Sequence, residues 1–224
     1  MSNPDSFVDE VTDAVRRDRL FAAFRKYGWI GVLLVVLIVG GAAYNEWKKA
    51  GAAARAETFG DAALSALEKA DVAGRTDALA SLPADADQKA LQALLISGNP
   101  EGDKAVSLAA LDALIADPAQ PQVYRDLAVL RRVALAGIDQ PLADRRAALQ
   151  AVAIPGRPFR ILAEEQLAYL LIEEGKAEEA IAALVALIQD QEAPQGMRRR
   201  LGQMITALGG TVPEQTVVAP TDAG

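Results

Sequence analysis

AEEQLAYLLIEEGKAEEAIAALVALIQDQEAP, residues 163–194, carries the clearest period in the chain. Leu167, Leu170 and Leu171 recur at helical spacing and make the inner face of one helix. Gly175 is the natural stop, because glycine accepts the left-handed backbone that ends a helix. Ala180, Ile181, Leu184, Leu187 and Ile188 then make the inner face of a second helix. Pro194 closes the unit. The stretch predicts two antiparallel helices joined by a tight turn, with small residues where they cross.

Outward from this hairpin the same texture continues. Phe59, Ala63, Leu67 and Ala70 form one stripe, and Leu79–Leu82 is a short one ending at Pro83. Asp85 or Asp87 caps a helix through Leu91, Leu94 and Leu95 to Gly98. Asn99-Pro100 marks a turn. Leu108, Leu111 and Ile115 form the next stripe, which stops at Asp117-Pro118. Val123, Leu127, Leu130 and Ala134 follow, ending at Gly137. A helix from Pro141 to Val152, a break at Pro155-Gly156 and a helix opening at Pro158 complete the run. No alternating β-branched run appears, so the expectation is an all-α chain.

The hairpin resembles a tetratricopeptide (TPR) unit. Leu167-Ala168 falls at the family's large-small pair in the first helix, Gly175 at the inter-helix turn, and Ala180 within EEAI (residues 178–181) at the small residue of the second. Glu164, Leu171 and Leu184 depart from the family's aromatic positions. A weaker relative begins near Pro121, where Leu127-Ala128 stands 40 residues before Leu167-Ala168. The expected fold is thus a TPR-like α-solenoid over residues 48–210. The alternative is an ordinary Ala/Leu-rich helical domain with one TPR-like hairpin. The resemblance implies a groove lined by first helices, with Leu162, Glu165, Tyr169 and Ile172 facing it in the clear unit. Gln122, Arg125, Val129 and Arg132 face it in the weaker one. Tyr169 is the best suited to a partner contact, since tyrosine is favoured at interaction hot spots. The alternative is that these residues pack against neighbouring helices.

RKYGWIGVLLVVLIVGGAAYNEWKK, residues 25–49, sets the address. Tyr27 to Tyr44 is uncharged, and eighteen helical residues rise about 27 Å. A bilayer's hydrocarbon core is about 30 Å thick. Leu33, Leu34 and Leu37 lie mid-segment. Tyr27 and Trp29 at one end, Tyr44 and Trp47 at the other, make interfacial belts. The segment, residues 27–47, reads as a transmembrane anchor. A cleaved signal is the rival, with Gly41 and Ala43 spaced like a cleavage site. Against it stand the 28 residues before Trp29, five of them acidic. Arg16, Arg17, Arg19, Arg25 and Lys26 precede the anchor, and Lys48, Lys49 and Arg55 follow it. That excess places the N-terminus in the cytoplasm and the C-terminal part in the periplasm.

Residues 1–26 read as an amphipathic cytoplasmic lead-in. Ser6 is its candidate cap, with Asp9 in the first turn, and Phe7, Val11, Val15, Leu20 and Phe24 are its stripe. The alternatives are a helix on the inner membrane face and a disordered tail. Residues 211–224 lack a helical period and are expected to be disordered.

Composition narrows the chemistry. The 224 residues are 51% apolar but only 5% aromatic, so Ala and Leu carry the packing. The net charge is −7, which disfavours a nucleic-acid partner. The absence of Cys and His removes disulfides, thiolate chemistry, Ser-His-Asp catalysis and the commonest metal ligand. Carboxylate- or lysine-based catalysis remains open. No phosphate-binding glycine loop appears. The pairs Glu164-Glu165, Glu173-Glu174 and Glu178-Glu179 read as solvated faces. Arg131-Arg132, Arg145-Arg146 and Arg198-Arg199-Arg200 read as surface charge. No catalytic, cofactor or metal residue is assigned, and the protein is not expected to be an enzyme.

The order of parts, a short lead-in, one anchor and a TPR-like domain, resembles the YfgM-like family of bacterial inner-membrane proteins. The resemblance implies an ancillary role at the Sec translocon. Its implied partners are the translocon core and a membrane-anchored periplasmic chaperone, with translocated chains handed on to folding factors. The alternative is an accessory assembly factor for another envelope or respiratory membrane complex.

Overall fold

The structure, a computed structural model, describes the backbone of residues 4–99 and 102–213. Side chains are described over the same range apart from residues 4–24, Tyr27, Gly28 and Asp87. The lead-in stripe from Phe7 to Phe24, the belt position of Tyr27, the Asp87 cap, Pro100, and the tail beyond residue 213 lie outside what is described. Ser6, the expected cap, instead lies inside the first helix, which already starts at Pro4.

Among the described residues the chain is all-α, with no strand. Nine α-helices follow one another: α1 (Pro4–Leu67), α2 (Val72–Ala80), α3 (Ala86–Ser97), α4 (Lys104–Ala116), α5 (Gln122–Ala136), α6 (Leu142–Val152), α7 (Arg160–Glu173), α8 (Ala177–Gln189) and α9 (Gln195–Ala207). A 3₁₀ turn, Gly137–Asp139, separates α5 from α6. The chain divides into two units after Thr58.

In the first unit, the stretch of α1 from Trp29 is long and apolar enough to cross a membrane, and none of its apolar window is buried. Trp29, Leu33, Leu34, Leu37, Tyr44 and Trp47 are all exposed. Tyr44 and Trp47, three residues apart, stand with ring centroids 6.2 Å apart.

In the second unit, local chemistry sets the helix ends. Asp71 caps α2, its Oδ1 accepting from the Gly74 N–H at 2.5 Å. Asp103 caps α4, accepting from Ala105 N–H at 2.7 Å. At α3 the Asp85 N–H donates to Gln88 Oε1 at 3.0 Å, the reach-back half of a capping box. Gly137 ends α5 with φ 55° and ψ −135°, a backbone open only to glycine. Gly175, with φ 76°, ends α7. There Lys176 N–H donates to Leu171 O at 2.9 Å and Gly175 N–H to Ile172 O at 3.0 Å, the two bonds of a Schellman motif.

The core is a chain of overlapping layers. Ala63, Ala66, Leu79 and Ile96 join the end of α1 to α2 and α3. Ala90, Leu94, Leu111, Leu114 and Ala128 join α3, α4 and α5. Leu130, Val133, Leu149, Val152, Ala163 and Leu170 join α5, α6 and α7. Ile161, Ala168, Leu184, Leu187, Ile188, Met197, Leu201 and Ile205 join α7, α8 and α9. Each layer uses three successive helices and shares one, α3, α5 or α7, with the next.

Several stripes sit one position from where the sequence puts them. Leu67, Leu91 and Val123 are exposed, and Leu167 and Leu171 are only half-buried. Ala66, Ala90, Ala128, Ala163 and Ala168 are buried in their place. Where two helix backbones approach closely only a methyl fits, so alanine takes the seam and the neighbouring leucines flank it. Ala70 and Ala134 are exposed, Ala70 because α1 has ended at Leu67. α2 begins at Val72, ahead of the Leu79–Leu82 piece expected. Pro158 precedes α7 and does not open it; the helix starts at Arg160 after Phe159.

Candidate interaction groove

The α7 helix has two working faces, and its paired glutamates divide between them. Consecutive residues on a helix point about 100° apart. Glu164 therefore reaches one side and Glu165 the other.

On the Glu164 side, α6, α7 and α8 enclose a groove of about 340 Å³. Leu167, Ala168 and Leu171 form its floor, Ala183, Ala186 and Leu187 one wall, and Arg146 and Gln150 the other. Glu164 and Asp190 also line it. Arg160 holds the two carboxylates, donating to Glu164 at 3.0 Å and to Asp190 at 2.8 Å, and reaches Glu192 at 2.9 Å. The Arg160 guanidinium and the Glu192 backbone N–H hold the Asp190 carboxyl below its ordinary range. Arg146 donates to Glu174 at 2.5 Å, and Lys176 adds a second cation at 3.1 Å. Together they lower the Glu174 pKa. The neighbouring Arg145, itself buried, grips Glu173 through both nitrogens at 2.8 and 2.5 Å and lowers its pKa. Apolar floor and ion-paired rim together suit the side of a peptide or helix that carries both kinds of group.

On the other side, Glu165 is buried at 4% exposure. It accepts Arg200 Nε at 2.9 Å and Nη2 at 2.8 Å, and the Tyr169 hydroxyl at 2.5 Å. Burial first, and Glu165 beside it second, push the Tyr169 phenol up. Of the four α7 residues expected in a groove, Glu165 and Tyr169 are tied into this contact with α9. Leu162 is exposed and Ile172 half-buried. The open groove is lined instead by Leu167 and Leu171.

The other expected lining residues are also engaged. Arg125 receives help from Gln122, which accepts its Nη2. Arg132 pairs with Asp112 of α4 and donates to Gln140 Oε1 at 2.8 Å. Val129 packs against the third core layer.

The glutamate pairs and arginine clusters are therefore not simply solvated charge, as their sequence suggests. Glu165, Glu173 and Glu174 meet Arg200, Arg145 and Arg146 across helix contacts, while Glu178, Glu179 and Arg199 stay exposed. The pairing was hidden because the partners stand 28 to 35 residues apart.

One buried charge went unnoticed in the sequence. Asp126, 1% exposed, accepts Arg157 Nη1 and Gln122 Nε2, each at 2.6 Å. This pins the α6–α7 loop to α5. The signal was present: Asp126 interrupts the Val123–Leu130 stripe, three residues after Val123 and four before Leu130. Among the described residues, no cluster of three or more carboxylates is placed to hold a metal ion.

Comparisons with protein-family models, curated proteins and solved structures found no match to this chain.

Proposed function

We propose that the protein is a membrane-tethered helical scaffold that holds protein partners beside the bilayer. The observation that carries this reading is the unburied apolar helix from Trp29, which precedes a layered helical unit. The layers that share α3, α5 and α7 support a TPR-like solenoid, since such arrays bury their cores by stacking on neighbours. On this reading the residues from Phe59 onward lie in the periplasm, because the Lys/Arg excess precedes the anchor. The client process is protein export. The core of the Sec translocon and a membrane-anchored periplasmic chaperone are the partners, on the strength of the order of parts. The α6–α8 groove is the contact surface, and no catalytic step is assigned.

The test is crosslinking in native membranes, followed by affinity purification from detergent and mass spectrometry. Recovery of translocon and chaperone components is the expected result. Recovery of subunits from a different membrane complex, with no export component, sinks the export reading and leaves the scaffold. Loss of crosslinks on Leu171→Glu would locate the contact in the groove.

A further inference from the structure

A second cavity, of about 430 Å³, lies beside the C-terminal end of α3. Its walls combine three leucines, Leu67, Leu94 and Leu95, with three donors, Arg75, Arg131 and Asn99. Among the described residues no carboxylate lines it.

Two of the carbonyl groups at this helix end are already covered. Arg131 Nη1 donates to Leu94 O at 2.7 Å, and Gly98 N–H donates to Leu95 O at 3.2 Å. The usual negative charge of a helix C-terminus is thus met from within. Arg131 has five N–H donors. Its hydrogen bonds to Leu94 O and Ser97 Oγ both use Nη1, and among the described residues no carboxylate pairs with it. The amide nitrogen of Asn99 is enclosed and, among the described residues, has no hydrogen-bond partner. Arg75 brings a second guanidinium to the same space, with Nη1 directed to Lys69 O at 3.3 Å. A buried donor without an acceptor costs about 1–3 kcal/mol. Two guanidiniums and an amide against an aliphatic wall form the recognition set for an anion that carries an apolar group. The volume falls in the range of small-ligand sites, about 300–1,000 Å³.

We propose that this cavity binds a small organic anion, a carboxylate or phosphate monoester on a short aliphatic chain. Arg131, Arg75 and Asn99 take the anionic head, and Leu67, Leu94 and Leu95 take the chain. The proposal stands on this cavity alone and is independent of the scaffold reading.

The test is isothermal titration calorimetry on the full chain in phosphatidylcholine nanodiscs, with empty nanodiscs subtracted. The probes are octanoate, octyl phosphate, inorganic phosphate and 1-octanol. Saturable binding of octanoate or octyl phosphate is expected, at least tenfold tighter than octanol and than inorganic phosphate. The better of the two identifies the head group. Asn99→Asp, which places a negative charge where the amide now points, should weaken binding at least tenfold, as should Arg131→Gln. Because Arg131→Gln also uncovers the Leu94 carbonyl, its fold is checked by circular dichroism, and Asn99→Asp serves if that fold is lost. No saturable binding, octanol equal to octanoate, or unchanged affinity in Asn99→Asp overturns the proposal.

Discussion

Arg200 on α9 closes on Glu165 of α7 through two charge-assisted hydrogen bonds, 2.9 and 2.8 Å long, and the two ends of the pair live in different environments. The Arg200 side chain is 52% exposed, that of Glu165 only 5%. Removing the arginine strands a carboxylate away from water, whereas removing the carboxylate leaves a guanidinium that water can reach. Arg200→Gln should therefore cost more than Glu165→Gln. Breaking a fully buried pair costs about 3–5 kcal/mol, and the half-exposed arginine discounts this to about 1–3 kcal/mol. Urea unfolding of the full chain in detergent, followed at 222 nm, measures both. Equal losses would show that the burial asymmetry is energetically silent.

Gly175 offers a cleaner test, because no heavy atom lies within 4 Å of where its Cβ would sit. The only cost of Gly175→Ala is the left-handed backbone, φ 76°, at about 1–2 kcal/mol. Gly196 in the first turn of α9 has the same open space, with no positive φ to maintain. Gly196→Ala should stabilise by up to about 1 kcal/mol. Opposite signs in thermal melts are the expected outcome.

What the sequence revealed follows from range. Gly137, Gly175 and Asp117-Pro118 stop helices through their own backbone preferences, so those ends were legible. Leu184, Leu187 and Ile188 were legible as core because α8 is amphipathic along its own axis. Ala128 and Ala168 were legible only as the small half of a Leu-Ala pair, and the seam residue Ala163 was not, since alanine outranks leucine only where two backbones nearly touch. That distance belongs to the packing, not to the segment. The α7 faces failed for the same reason. Whether Glu165 or Leu167 meets open space depends on where α9 brings Arg200, 35 residues on.

Acid should loosen the contacts of α7 with α6 and with the end of α8. Arg145, Arg146 and Arg160 hold the carboxyls of Glu173, Glu174 and Asp190 below their ordinary values of 4.5, 4.5 and 3.8. A carboxyl depressed in the folded state binds fewer protons there than when unfolded. Its contribution is present above the ordinary value and is lost as pH falls through the folded one. The melting temperature should be flat from pH 7 to about 5 and fall below about 4.5. Glu174→Gln should shrink that fall, since one titrating group is gone. A fall unchanged in that variant would assign it to other carboxylates.

The anchor can be tested at Leu37, which stands 66% exposed midway between Trp29 and Tyr44. An arginine at the centre of a spanning helix costs about 2.5–3.5 kcal/mol on insertion scales. At about 1.4 kcal/mol per decade, that is roughly a hundredfold shift in the insertion equilibrium. The matched control is Leu64→Arg, 61% exposed on the same helix but beyond Thr58. Both variants add one cation and remove one leucine, so solubility changes alike. Only Leu37→Arg changes what the hydrocarbon must accept. Alkaline carbonate extraction of membranes should release Leu37→Arg and retain both Leu64→Arg and the parent protein. Retention of Leu37→Arg would place the anchor elsewhere. N-terminal sequencing of the retained parent separates a held anchor from a cleaved signal, because cleavage after Ala43 would remove Leu37 from the mature chain altogether.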